Sequence, residues 1–344
     1  MPRPSRSTLL GRGLPALAVP ALALALVGGL AACGSSDDQA VATPASSSGG
    51  SFPVSITNKF GTTEVEEAPQ RVVTVGFNDL DFVLALGVQP VGTRANLGYD
   101  ATRRPWAPQQ ETRDLPTVGE AEIDLEEVAA LEPDLIVGVY SFIDQQTYDQ
   151  LSKIAPTLAQ TDAYADGATP WQEQTLLTGR ALGREARATS VVADVEADFA
   201  RAGADHPEFA GKRVAVDYTG VAGSDHYRMG ADDLRSQFFT ALGFTVPEAS
   251  AAVSDEQLDL LDSDVLIGGG YCPADTVASS PLLTSLDAVR QDRTVYLGAY
   301  TDDLMGALGY GSPLALPWLL ERTATALGQA ADGDPATEVV QPTA

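Results

Sequence analysis

Apolar positions change period along the chain in a regular way. Phe52-Pro-Val-Ser-Ile-Thr-Asn58 alternates apolar and polar, Gly61 follows, and Thr62-Thr-Glu-Val65 can pair back, which predicts a β-hairpin. Arg71-Val-Val-Thr-Val75 is a β-branched run ending at Gly76. Residues 80–86 then have helical spacing, and Pro90-Val-Gly-Thr93 reads as a second strand. The rhythm continues with a helix over 125–131, a buried strand over 134–139 and a helix over 145–154. Strands alternating with helices predict a parallel sheet covered on both faces.

From Trp171 onward the pattern changes. Leu176, Leu177, Leu182, Val191, Val192, Val195 and Phe199 fall at roughly helical spacing, with no proline and no strand-like run. This predicts one helix of ~33 residues, about 50 Å long, bridging two lobes. Alternation then restarts: a strand over 213–217, helices over 234–242 and 255–261, strands over 264–267 and 294–297, and a last helix entered at Ser312-Pro313. The expected organisation is an N-terminal lobe over 52–168, a connecting helix over 169–204 and a C-terminal lobe over 205–330.

The two halves repeat each other. With an offset of 130, Ile123-Asp-Leu-Glu-Glu-Val-Ala-Ala-Leu-Glu-Pro-Asp134 lies over Val253-Ser-Asp-Glu-Gln-Leu-Asp-Leu-Leu-Asp-Ser-Asp264. Glu126 falls on Glu256, Leu131 on Leu261, Asp134 on Asp264 and Gly138 on Gly268. Helix-to-strand grammar explains the apolar matches better than it explains two glutamates in register.

Both ends read differently from the lobes. Residues 1–32 carry Arg3, Arg6 and Arg12, then a run of Ala, Leu, Val and Gly broken by Pro15 and Pro20, the layout of a signal peptide. The run ends at Leu30-Ala-Ala-Cys33-Gly34, which resembles the lipobox of bacterial lipoproteins and makes Cys33 the expected lipidation site. Residues 33–51 are expected to be a flexible linker and 331–344 a disordered tail. With Cys33 lipidated, Cys272 has no partner for an intrachain disulfide. The net charge of −26 becomes about −29 once the three arginines are removed, which disfavours nucleic acid as a partner.

Catalytic constellations are missing. The sequence holds no Gly-x-Ser-x-Gly elbow, no His-Glu-x-x-His helix and no phosphate-cradling loop, and His206 and His226 are its only histidines. No enzyme and no covalent cofactor is expected. Aromatic and amide residues gather instead where strands end: Phe77-Asn78, Tyr140, Tyr218, Tyr271 and Tyr300. In α/β sheets ligands bind outside the carboxyl ends of the strands, and aromatic walls with a few polar groups make a ligand cleft.

These residues resemble the ABC-importer substrate-binding lipoproteins of the ferric-siderophore group, whose relatives bind haem and cobalamin. The likeness is carried by Pro69-Gln-Arg-Val-Val-Thr-Val-Gly76, Leu125-Glu-Glu-Val-Ala-Ala-Leu-Glu-Pro-Asp134, Leu151-Ser-Lys-Ile-Ala-Pro156 and Ser312-Pro-Leu-Ala-Leu-Pro-Trp318. It implies an α/β fold of two Rossmann-like, parallel-sheet lobes joined by a single long α-helix, with the ligand in a cleft between them. It implies a monomer anchored by lipid to the extracytoplasmic face of the cell membrane, handing a ferric siderophore to an ABC permease dimer. Iron would enter only as part of that ligand, with no direct protein ligand to the metal. Glu126 and Glu256 match the glutamates that dock on the permease. Tyr227 and Arg228 match the aromatic and arginine that hold hydroxamate ligands, and Arg94 and Trp106 are further candidates in the first lobe. Hydroxamates are favoured over catecholates. Haem or cobalamin, and from a different class an iron-release enzyme or a sensor, stay open.

Overall fold

A computed structural model describes residues 50–95, 104–107, 112, 114–219, 226–270, 274, 277 and 280–344. The signal peptide, Cys33 and Tyr271 lie outside the described residues. From Ser47 onward the chain forms one compact unit, and it contains two separate main sheets.

The chain enters through an antiparallel hairpin, β1 (Val54–Asn58) and β2 (Gly61–Val65), with Val54 opposite Val65. The first main sheet has four strands in the order β4-β3-β5-β6, all parallel: β3 (Val72–Thr74), β4 (Gly92–Thr93), β5 (Leu135–Gly138) and β6 (Thr157–Ala159). Among the described residues, helices α1 (Asp79–Ala85), α2 (Leu125–Ala130) and α3 (Gln145–Leu151) follow strands in this half. Side chains alternate between two apolar clusters. Val72, Leu135 and Val137 face one, and Val73, Val75 and Ile136 face the other. Burial on both faces is why these strands read as continuous β-branched runs.

The bridge is two helices, α4 (Trp171–Ala181) and α5 (Glu185–Asp205), rather than the single helix expected over 169–204. The break is at Gly183, whose φ of 63° ends α4 as a left-handed residue. A Cβ there would come within 2.5 Å of the Phe52 ring, so the hairpin entry packs into the break. Ala188, Val191, Val195 and Phe199 form the buried stripe of α5.

The second sheet has five strands in the order β11-β10-β7-β8-β9. Strands β7 (Val214–Thr219), β10 (Val265–Gly270) and β11 (Thr294–Ala299) are parallel. Strand β8 (His226–Met229) runs antiparallel to β7 and β9 (Ala251–Val253) pairs antiparallel with β8, so a reversed strand is added beside the parallel core of this lobe. Its helices are α6 (Gln237–Ala241), α7 (Asp287–Arg290), α8 (Asp303–Tyr310) and α9 (Ala315–Ala331). The helix expected over 255–261 is a 3-10 turn.

The repeat read from sequence is built into both sheets. The backbone N–H of Arg71, before β3, donates to Asp134 at 2.8 Å, and that of Arg213, before β7, donates to Asp264 at 2.8 Å. Each aspartate sits just before the neighbouring parallel strand and ties it to the lobe's first strand.

The tail is not the disordered segment expected over 331–344. Val339 is buried in the second lobe's core. The side chain of Gln341 donates to Thr294 O at 2.9 Å and accepts from Tyr296 N at 2.8 Å. The amide thus serves β11 as a surrogate neighbour on the outer edge of the sheet, which polar composition alone does not reveal.

Candidate functional site

A cavity of about 570 Å³ is lined by residues that follow strands of both sheets. From the first lobe come Phe77, Asn78, Tyr140 and Phe142, and from the second Asp233, Arg235, Tyr300 and Tyr310. Trp171 and Gln174 of α4 close one side. Phe77, Tyr140 and Tyr300 follow β3, β5 and β11, and all three line this cavity at the ends of their strands.

The polar centre is Arg235. Its guanidinium forms a two-point ion pair with Asp233, at 2.8 and 2.5 Å, and lies 4.1 Å from the centroid of the Tyr218 ring. Tyr218 packs edge-on against Tyr300, 6.1 Å between centroids. Burial would discharge Arg235, but the hydrogen bond and charge of Asp233 outweigh it and hold the guanidinium more firmly protonated than usual. Burial pushes the Tyr218 phenol up to about 12, and raises Tyr140 too. The two phenols therefore remain neutral hydrogen-bonding groups. Among the described lining residues, Asp166, Asp232 and Asp233 face the single cation Arg235. No described group of three or more His, Cys, Asp or Glu residues could hold a metal ion.

The floor is a buried polar relay joining both lobes and the bridge. Gln174 Nε2 donates to Asn78 Oδ1 at 2.8 Å and to Asp79 Oδ1 at 2.7 Å, and Asn78 Nδ2 donates to Tyr310 O at 2.9 Å. The Asp79 carboxylate is fully buried and accepts from the backbone amides of Tyr140, Val139 and Gly76. Burial outweighs these bonds and lifts its pKa to about 6. A carboxyl raised on folding contributes stability that is complete below its unfolded pKa of ~3.9 and is lost as pH rises through about 6. Wild type is therefore expected to gain about 2–3 kcal/mol relative to Asp79→Asn between pH 7 and pH 4. Urea unfolding of both proteins across that range checks this, and a pH-independent difference would refute it.

Other expected site residues lie elsewhere. Arg94 is buried, with its guanidinium donating to the carbonyls of Glu120 at 2.8 Å and Ala121 at 2.5 Å while stacking 4.1 Å from the Phe77 ring centroid. It supports Phe77 and does not line the cavity. Trp106 donates from Nε1 to Asp81 at 2.9 Å and packs on Tyr310 and Trp318, so it is core. Tyr227 and Arg228 do not form a cleft loop: they sit within β8, Tyr227 exposed and Arg228 donating to Leu260 O. Sequence matching stopped seven residues short of Arg235. The available signal was Asp233, whose side chain accepts from Arg235 N and caps the turn at 2.9 Å. Glu126 and Glu256 are both exposed, each near the start of the helical segment that precedes a central strand.

A model of the periplasmic binding protein family matches residues 72–301. The ferric enterobactin-binding periplasmic protein FepB of Escherichia coli is 27% identical over 276 residues, covering 73% of this chain and 85% of the relative. Among solved structures, a periplasmic solute binding protein of Mycobacterium smegmatis superposes with a TM-score of 0.72 at 31% identity, covering 81% of this chain and 99% of its own. PiaA of Streptococcus pneumoniae in complex with ferrichrome gives 0.66 at 25% identity, covering 81% and 98%.

Proposed function

Because this chain belongs to the periplasmic binding protein family, we propose that it is the lipid-anchored substrate-binding protein of an ABC importer and captures a ferric siderophore, of hydroxamate type, between its sheets. The observation that carries the proposal is a large aromatic cavity whose one described cation is already ion-paired. A ferric trihydroxamate is neutral or cationic, satisfies its iron with its own oxygens and presents methylene surface. Neutral phenols can donate to its oxygens while rings cover its chain. A ferric catecholate is strongly anionic and would meet the Asp232 carboxylate and no spare guanidinium, since Arg235 is held by Asp233 and Asp166 is already paired with Lys59. PiaA, bound to ferrichrome, supports a hydroxamate, whereas FepB, named for ferric enterobactin, points the other way. The lining charge favours the former. Haem bound through a tyrosine would need a phenol that loses its proton, and burial of the lining residue Tyr140 works against that.

Ferrichrome, ferrioxamine B, ferric enterobactin and haemin, titrated against the purified protein, separate these ligands through quenching of tryptophan fluorescence. Hydroxamates are expected to saturate the signal at least about tenfold more tightly than the catecholate. Saturable quenching by haemin or ferric enterobactin alone would overturn the assignment.

Delivery requires a membrane partner. The proposal gives Glu126 and Glu256 the role of paired docking contacts on a permease dimer, and Cys33 the role of tether. A Gly/Ser-type linker of ~17 residues in general spans about 20–25 Å on average. That keeps a monomeric binding protein near its permease at high effective concentration.

A further inference from the structure

We infer that Phe142 is a specificity-determining contact of this cavity and that Gly167 is its positioning residue, an inference that rests on the cavity being the siderophore site. Phe142 has a φ of 56°, the left-handed region that a bulky side chain disfavours. Its side chain does not compensate by burial, since the residue is 49% exposed. The ring stands at the cavity wall with centroids 5.0 Å from Tyr140 and 6.1 Å from Phe77, both also lining residues.

Gly167 meets the same ring from the segment between β6 and α4. Its φ is 76°, and a Cβ there would lie 2.5 Å from Phe142 Cζ. The neighbouring Asp166 accepts from Lys59 Nζ at 2.6 and 2.7 Å, which fastens the segment to the entry hairpin. Two left-handed residues thus converge on one exposed aromatic ring. Neither serves the core. Backbone strain kept beneath an exposed apolar group at a cavity is the kind of feature that gathers at ligand contacts. The flat apolar face suits the methylene chain of a trihydroxamate and has little to gain from ferric citrate, whose surface is mostly oxygen.

Affinities of ferrichrome, ferrioxamine B and ferric citrate, with ferric enterobactin substituted if it binds tightest, test the assignment. Phe142→Ala and Phe142→Gly are expected to weaken the organic chelate about tenfold, Phe142→Tyr to restore it to within about twofold, and ferric citrate to respond to none of them. Phe142→Gly should melt above Phe142→Ala, because only glycine adopts this φ without strain. Gly167→Ala should weaken binding in the wild-type background and add almost nothing to Phe142→Ala, since it acts through the ring. Unchanged affinity in both Phe142 variants, or an additive Gly167→Ala effect, would overturn the inference while leaving the siderophore site standing. A wild-type protein that binds no ferric complex would overturn both.

Discussion

Replacing Asp81 with alanine is expected to cost about 3–5 kcal/mol of folding stability. Its carboxylate is fully buried and lies 3.0 Å from the Arg104 guanidinium, which is 1% exposed. The other carboxylate oxygen accepts from Trp106 Nε1 at 2.9 Å and from Ser312 Oγ at 2.7 Å. Arg104 in turn lies 4.7 Å over the Tyr310 ring. One carboxylate therefore joins α1 of the first lobe, the 104–107 segment and the turn that enters the last helix of the second. Removing it takes the carboxylate away from a buried guanidinium, which costs far more than a surface ion pair is worth. Asp81→Asn keeps two acceptor contacts and should lose less. Replacing both partners, as Asp81→Leu with Arg104→Met, should recover most of the loss, because the desolvation penalty vanishes with the charges. Urea unfolding at neutral pH measures all three. A loss below about 1 kcal/mol in Asp81→Ala would mean that water or backbone already compensates Arg104. The alanine variant should also bind ligand more weakly, since Tyr310 and Gly311 line the cavity beside Ser312.

What was legible in the sequence follows from where period alone carries the signal. β3, β5 and β10 are buried on both faces and read as short apolar runs. α5 shows its stripe because it faces the core on one side only. The break at Gly183 was visible as a glycine, yet helical spacing runs through it. Only the positive φ, set by packing against Phe52, reveals the stop. β8 was missed because His226 and Arg228 alternate with Tyr227 and Met229, a pattern that also suits a ligand-binding loop. Arg228 therefore lies in a strand, whereas Arg235 is the cation that lines the cavity among the described residues. Strand-end position found Phe77, Asn78, Tyr140 and Tyr300, because topology alone puts them in the cavity. Gln174 and Arg235 reach it through tertiary packing of a helix and a capped turn, which no local pattern encodes.

Reversing both glutamates, Glu126→Arg with Glu256→Arg, is expected to cut uptake by about fifty- to a hundredfold while leaving ligand affinity unchanged. Each single reversal should cost about five- to tenfold, because exposed ion pairs are individually weak and the proposed tether would keep the local concentration high. The physical basis is the repeat. Arg71 with Asp134 and Arg213 with Asp264 form the same backbone clamp, so the segments carrying the two glutamates are held in the same way relative to their sheets. Near each helical start, Asp124 accepts from Glu126 N at 3.0 Å, and Ser254 donates to Glu256 at 3.4 Å. Neither glutamate takes part in a described salt bridge, so each carboxylate is available to a partner. Two equivalent acidic points on a pseudo-symmetric protein suit two equivalent basic points on a symmetric dimer. Iron uptake by cells carrying each variant, beside titration of the purified proteins, separates docking from capture. If the double variant retained more than half of wild-type uptake, or lost ligand affinity in solution, the docking assignment would fall.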